Sequence, residues 1–473
     1  MRRVRVALVL CVAVVTTGGC ASSREDSAAP ARQHGPVVLI IVDALRADHL
    51  GTYGYRRRPT APNIDRWAES GLVYEQAWSA SSWTLPSFGS IFTGYLPSAH
   101  GAGIEVESDS ALAFRGVEGH NFVILPESVP TLAAMLRGAG FATAGFVANP
   151  FLHPNFGFGR GFDHYDHDDG GNAGARLAAK VIDRALEWID GRPDDQPFFL
   201  MVHLMDPHLD YDAPAPFGGR FTREIEGDFE LPVEALWPIR GRAARIDAAE
   251  RDFISAAYDE EIAYVDAQIE RLLEALSQRG VTEDGLVLLT ADHGEELFDH
   301  GGFEHGHSMY EEVLHVPLIL WGAAVGAGRA STPVSLLDVA PTMLDAAGVA
   351  APMSSGADGN LPGISLLDPD SVARAGQRTI VAERLLYGPA TKAVLRWPYK
   401  AIVEVDGGAA KLFDLQADPG EHDNLAQQRP EQLAALLTEL AERVARAHAL
   451  GVAPQAPIDE LLLHRLRALG YIR

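Results

Sequence analysis

Cysteine is almost missing from this chain of 473 residues: there are two, Cys11 and Cys20, both within the first twenty positions. Neither a disulfide nor a cysteine nucleophile can therefore operate in the part that follows. Basic charge is also scarce. Lys plus Arg number 39 against 64 Asp plus Glu, a formal net charge of −25. Such a surface repels nucleic acid and anionic lipid. An anionic substrate must then be captured by a local positive site, most simply a metal ion. The apolar run from Val6 to Val15 is too short for a permanent bilayer span, which needs about 20 residues. What is present is ordinary: 47% hydrophobic and 22% charged residues exclude wholesale disorder, a fibre or a disulfide scaffold. The length exceeds one compact domain of about 100–200 residues and suits a large α/β unit with an appended piece.

The first twenty residues read as an export signal. Arg2, Arg3 and Arg5 precede the apolar run, and Thr17-Gly18-Gly19-Cys20 follows it. Small residues before a Cys resemble a bacterial lipoprotein signal, in which Cys20 is lipidated and becomes the mature N-terminus. The alternative is an ordinary cleaved signal in which Cys20 is incidental. The lipoprotein reading implies a bacterial cell-envelope protein, periplasmic and held to the membrane through a lipid anchor only. Residues 21–35, rich in Ser and Ala, read as a flexible tether.

Val37 to Val42 is an unbroken apolar run, expected of a strand buried on both faces of a parallel sheet. Phe198 to Val202, Leu286 to Leu289 and Val316 to Leu320 read similarly. Helical spacing between them covers Ser128 (as a cap) to Arg137, 173–190 and 248–278. Alternating strands and helices imply an α/β fold with a doubly wound, mainly parallel sheet across residues 36–375. Residues 376–473 change character. Thr379 to Ala382, Ala393 to Trp397, Tyr399 to Val405 and Ala410 to Leu415 suggest a small antiparallel sheet, followed by a helix from Pro430 to about Leu450. Loops 102–127 and 210–247 are expected to frame a site.

Ligands of parallel sheets bind beyond the carboxyl ends of the strands. The first strand runs into Asp43, Leu286 to Ala291 into Asp292-His293-Gly294, and Phe198 to Val202 into His203, Asp206 and His208. His300, His305 and His307 follow closely on Asp292. Carboxylates and imidazoles converging on one sheet edge suit a divalent cation, with Ca, Mn, Zn and Mg all open. Taken singly, each Asp is as well explained as a turn or cap residue.

Longer motifs make this specific. Val38 to Tyr53, Ala61-Pro62-Asn63-Ile64-Asp65, Thr84 to Gly94, Ala291 to Glu296 with Tyr310-Glu311-Glu312, and Leu412 to Leu415 with Asp418-Pro419-Gly420-Glu421 run in family order. Together they resemble sulfatase-like members of the alkaline phosphatase superfamily. The resemblance implies that fold and one metal site formed by Asp43, Thr84, Asp292 and His293. It leaves His203, Asp206, His305 and His307 as ligands of a second metal or as proton donors, and puts His208 at a catalytic His position. Asn149 either donates to a nonbridging oxygen or merely turns the chain before Pro150.

The departures from the family pattern concern chemistry. The residue oxidised to formylglycine is Thr84, whose β-methyl precludes an aldehyde. Phe88 replaces an Arg, Ala44 replaces a second Asp, and after Phe141-Ala142-Thr143 no Lys appears. A Thr nucleophile is nevertheless used elsewhere in the superfamily, where a cation lowers the hydroxyl pKa. The expectation is a metal-dependent hydrolase or group-transfer enzyme for phosphate or sulfate esters, small or glycan- or lipid-linked, acting through Thr84. Two alternatives stand: a non-catalytic, lipid-anchored binding protein, and a sulfatase working without formylglycine. The signal reading is tested by Cys20→Ala, which should move the protein from the membrane fraction to a soluble periplasmic form. Soluble wild-type protein beginning elsewhere than at residue 20 contradicts it.

Overall fold

The computed structural model describes residues 35–104, 122–167, 176–193, 196–227, 229, 246–350, 363–405, 407–446 and 454–468. The export signal, Cys20 and residues 21–34 of the tether lie outside these, as do 105–121, 228 and 230–245 of the two loops. Eight strands form the central sheet: β1 (Val37–Val42), β2 (Leu72–Tyr74), β3 (Ala142–Phe146), β4 (His164–Asp166), β5 (Phe198–Leu204), β6 (Leu286–Ala291), β7 (Leu318–Gly322) and β8 (Gly328–Ala330). Their order is β8-β2-β7-β6-β1-β5-β3-β4. The strands read from apolar runs sit centrally, with β1 parallel to both β5 and β6. All six residues of β1 are buried, as an unbroken apolar run requires.

The expected strand at 316–320 is a correction. Pro317 cannot donate to a ladder, and the chain divides there. His315–Val316 pairs with Ala77–Trp78, while β7 joins the main sheet antiparallel to β6 and β2. An apolar run reports burial but not strand direction. The cap expected at Ser128 is also displaced. The Val129 amide turns back to Pro126, and the Thr131 hydroxyl accepts from the Ala134 amide to start the helix Leu132–Gly138.

Three helices matter for the site. α1 (Thr84–Thr93) begins at Thr84 after the extended Trp83. Pro86 falls in its first turn, where a missing N–H costs nothing, and Gly94 ends it with φ +77°. α2 (Ala178–Asp190) starts later than residue 173. α3 (Ala248–Gln278) has the expected span, capped by Asp247 and Glu250 in a reciprocal box. Its Tyr258 hydroxyl donates to the Ala44 carbonyl (2.7 Å) and accepts from the Arg46 amide (3.0 Å), clamping the loop after β1.

The C-terminal sheet is antiparallel and four-stranded: β9 (Ile380–Ala382), β10 (Thr391–Arg396), β11 (Tyr399–Glu404) and β12 (Ala410–Asp414). α4 (Pro430–Arg446) packs on it through Leu436 and Leu440. All described residues belong to one compact unit. No helix among them is long and apolar enough to cross a membrane. Tyr258→Phe removes the hydroxyl from two buried hydrogen bonds and should cost about 1–3 kcal/mol. A lower urea midpoint with unchanged slope is the expected readout; an unaltered midpoint contradicts the clamp.

Candidate active site

Strand register creates the site. Val42 pairs with Ala291, so Asp43 and Asp292, the next residues, emerge side by side. Both are fully buried, as are Thr84 and His293. Oxygen and nitrogen atoms of Asp43, Asp292 and His293 all lie within 4.8 Å of one another. Asp43 Oδ1 and Asp292 Oδ2 have no hydrogen-bond partner. Burial, then the Asp292 charge, pushes the Asp43 carboxyl well above the usual range, against the pull of the Asn149 amide. Burial raises Asp292 too, opposed by His293. Two desolvated carboxylates with orphaned oxygens beside an imidazole are a donor set that fits a divalent cation.

The surroundings hold these groups in place. Asn149 turns the chain before Pro150, its Oδ1 accepting from the Phe151 amide (2.8 Å), and its Nδ2 donates to Asp43 Oδ2 (2.6 Å) and Thr84 Oγ1 (3.2 Å). Thr84 Oγ1 also lies 3.3 Å from His293 Nε2. It stands at the N-terminus of α1, where helix dipole and free amides favour an anion. The hydroxyls of Ser79 and Ser87 each sit 2.6 Å from the Asp292 carbonyl. Ala44 works through its backbone: it adopts φ +55°, and its amide bonds the Asp292 carboxylate.

The histidines divide into two groups. His203 is buried on β5 with Nε2 3.5 Å from Asp43 Oδ2 and no hydrogen-bond partner on either nitrogen. His208 and His305 join the site as a row, with ring centroids 5.0 Å apart and His305 4.3 Å from His293. Burial, then His305, pulls His208 down to about 3. Glu295 orients His305: its Oε1 is 2.9 Å from His305 Nδ1, and its Oε2 accepts from the Tyr211 hydroxyl at 3.0 Å.

Two of the expected residues are engaged elsewhere. Asp206 accepts from the Ala178 amide at the start of α2 and faces Glu261, so it serves a helix terminus. His307 turns to Glu296 Oε2 at 2.8 Å, away from its neighbour His305, because Gly306 between them takes φ +79° in a loop. His300 pairs with Glu312 at 2.9 Å and stacks on Tyr310. Sequence reasoning assigned no part to Glu295, Tyr258 or Ser79. Glu295 had a usable signal in its place two residues after His293.

The comparisons with known proteins concern the family and the fold. Residues 36–349 match the sulfatase family. The Delta 4,5-hexuronate-2-O-sulfatase of Bacteroides thetaiotaomicron is 26% identical over 449 residues, covering 85% of this chain and 86% of that enzyme. The phosphonate monoester hydrolase of Silicibacter pomeroyi superposes with a TM-score of 0.67 at 20% identity, over 88% of this chain and 96% of the other. A structure in complex with its substrate D-glucosamine-2-N,6-O-disulfate superposes at 0.63 with 21% identity, over 88% and 98%. The likeness to the solved structures concerns the fold. With its motifs in family order and two thirds of its length matched, this chain belongs to the sulfatase family.

Proposed function

We propose that the protein hydrolyses sulfate esters, sugar sulfates foremost, with Thr84 as nucleophile. The observation that carries this is the position of Thr84 Oγ1: at the N-terminus of α1, 3.3 Å from His293 Nε2, in a cluster where Asp43 Oδ1 and Asp292 Oδ2 have no hydrogen-bond partner. The sugar-sulfate relative matched over most of both chains supports the ester class. Phosphate and phosphonate esters rest on the fold likeness alone. Asp43, Asp292 and His293, with the Thr84 oxygen, would hold the divalent cation. When bound, that cation lowers the pKa of a coordinated hydroxyl and offsets charge on the transferred group.

The chain's own residues supply the rest. The Thr84 oxygen attacks sulfur as its proton departs, the S–O bond to the alcohol breaks, and the alcohol leaves with a proton. The Thr84 sulfate ester is then cleaved by water, which regenerates the hydroxyl. Asn149 holds both the Thr84 hydroxyl and Asp43 from one amide. His305, held by Glu295 and 4.3 Å from the His293 ring, is the candidate for the proton to the leaving oxygen, with His208 packed against it. Phe88 packs against Phe92, Phe158 and His203 in the core, so no guanidinium takes the place of the family's Arg. The N-terminal signal supports a lipid-anchored enzyme of the periplasm.

Thr84→Ala should lower turnover roughly a thousandfold or more, and Thr84→Ser should retain part of it. Mass spectrometry of the peptide around residue 84, after rapid quenching with an active ester, should find a sulfuryl group on Thr84. A phosphoryl group would instead identify a phosphate-ester enzyme. Full activity in Thr84→Ala would sink the mechanism. Chelation should lower the melting temperature of metal-containing protein by mass action, and Asp292→Asn should abolish that sensitivity. An identical melting curve with EDTA counts against the cation.

A further inference from the structure

A chain with a net charge of −25 needs a cationic landing place for a polyanionic sugar. Two buried guanidiniums near the site are already committed to carboxylates: Arg46 to Asp48 and Asp299, and Arg176 to Asp166. Arg384 is different. It forms no ion pair among the described residues. Nη1 alone is engaged, donating to the carbonyls of Gly101 (3.1 Å) and Ile104 (3.4 Å). Burial lowers its pKa, with only the more distant pull of Glu383 to raise it.

The C-terminal part of the chain anchors the Arg384 backbone against the segment that leads into α1. The Arg384 carbonyl accepts from the Ser81 hydroxyl (2.9 Å) and from the indole of Trp83 (2.7 Å), the residue before Thr84. Two residues on, the amides of Leu386 and Tyr387 both donate to Gly306, which follows His305. One short segment therefore bridges the nucleophile loop and the histidine loop. On the other side, a Cβ built on Gly103 would stand 3.3 Å from Arg384 Cδ and Nη1 and 4.0 Å from the ring of Pro86. Gly103 is thus flanked by the Arg384 side chain and by Pro86, two residues from Thr84. Arg384 has φ +66°, in the left-handed region. Ala44 (φ +55°) and Glu304 (φ +68°), which adjoin Asp43 and His305, share that conformation. Side chains keep such backbone geometry only where their surroundings impose it, and ligand clamps are a common place for it.

We propose that Arg384 is a specificity-determining residue that receives a second anionic group, a carboxylate or a further sulfate, on a sugar whose reacting sulfate lies at Thr84. A guanidinium fork matches both anions bidentately, and Nε and Nη2 make no hydrogen bond to the described residues. The inference rests on the reading of Thr84 as the ester-cleaving centre and narrows its substrate to doubly charged sugars. The named substrates of two similar proteins, a sulfated hexuronate and a glucosamine disulfate, are of this kind.

Binding measured by calorimetry on Thr84→Ala protein, which does not turn over, tests it. Two matched pairs serve as probes: a 2-O-sulfated unsaturated hexuronate with its methyl ester, and glucosamine-2-N,6-O-disulfate with N-acetylglucosamine-6-O-sulfate. In at least one pair the dianion should bind about tenfold tighter or more. Adding Arg384→Ala should bring that ratio to near one while leaving affinity for the singly charged member unchanged, and Arg384→Lys should fall between. Absence of binding, equal binding within both pairs, or a ratio that survives Arg384→Ala overturns the proposal. So does equal weakening of both members of a pair in Arg384→Gln, the mark of a merely structural arginine. Failure of the Thr84 reading is distinguishable, because it appears as full turnover in Thr84→Ala with residue 84 unlabelled.

Discussion

Two carboxylates with the same charge, Asp43 and Asp292, stand buried at adjacent strand ends. Desolvation and mutual repulsion make that pair unstable as two bare anions, and either protons or a cation must relieve it. Much of the nearby structure answers this constraint. Hydroxyls of Ser79 and Ser87 hold the Asp292 carbonyl, the Asn149 amide holds Asp43, and Tyr258 fixes the turn between β1 and Arg46. Each of these contacts spans a long stretch of sequence or a change of element. The strained backbone of Ala44 is tolerable because Tyr258 pins its carbonyl.

The position of Thr84 follows from the same geometry. α1 starts where the carboxylates converge, so Thr84 meets His293 and Asn149 together. The residue that a formylglycine enzyme would place as Arg is here Phe88, sunk among Phe92 and Phe158. A segment of the C-terminal part supports the loops on which Thr84 and His305 stand.

Most of the framework was legible because it depends on local pattern. The run Val37 to Val42, the span of α3 and the four C-terminal strands lie where apolar periodicity and turn residues put them, within a residue or two. Asp43, Asp292 and His293 were legible because strand ends are local features, and the family resemblance added Thr84 to them. β7 was readable as buried but not as antiparallel, since direction depends on which neighbour it joins.

What the sequence determined by itself was the alternation of strand and helix, the motif order of the family, the absence of cysteine chemistry and the replacement of the aldehyde residue by Thr84. The tertiary structure decided which polar side chains face one another. Asp206 and His307 have the same chemical character as Asp43 and His305, yet Asp206 serves the start of α2 and His307 serves Glu296. Conversely, Glu295 carries no periodic signal, and its partners His305 and Tyr211 lie ten or more residues away in the chain. Hydrophobic periodicity repeats over a few residues and can be read from one segment. The partner of a buried charge is chosen by folding, because the cost of leaving it unpaired is met by whichever group the completed fold brings within hydrogen-bond distance.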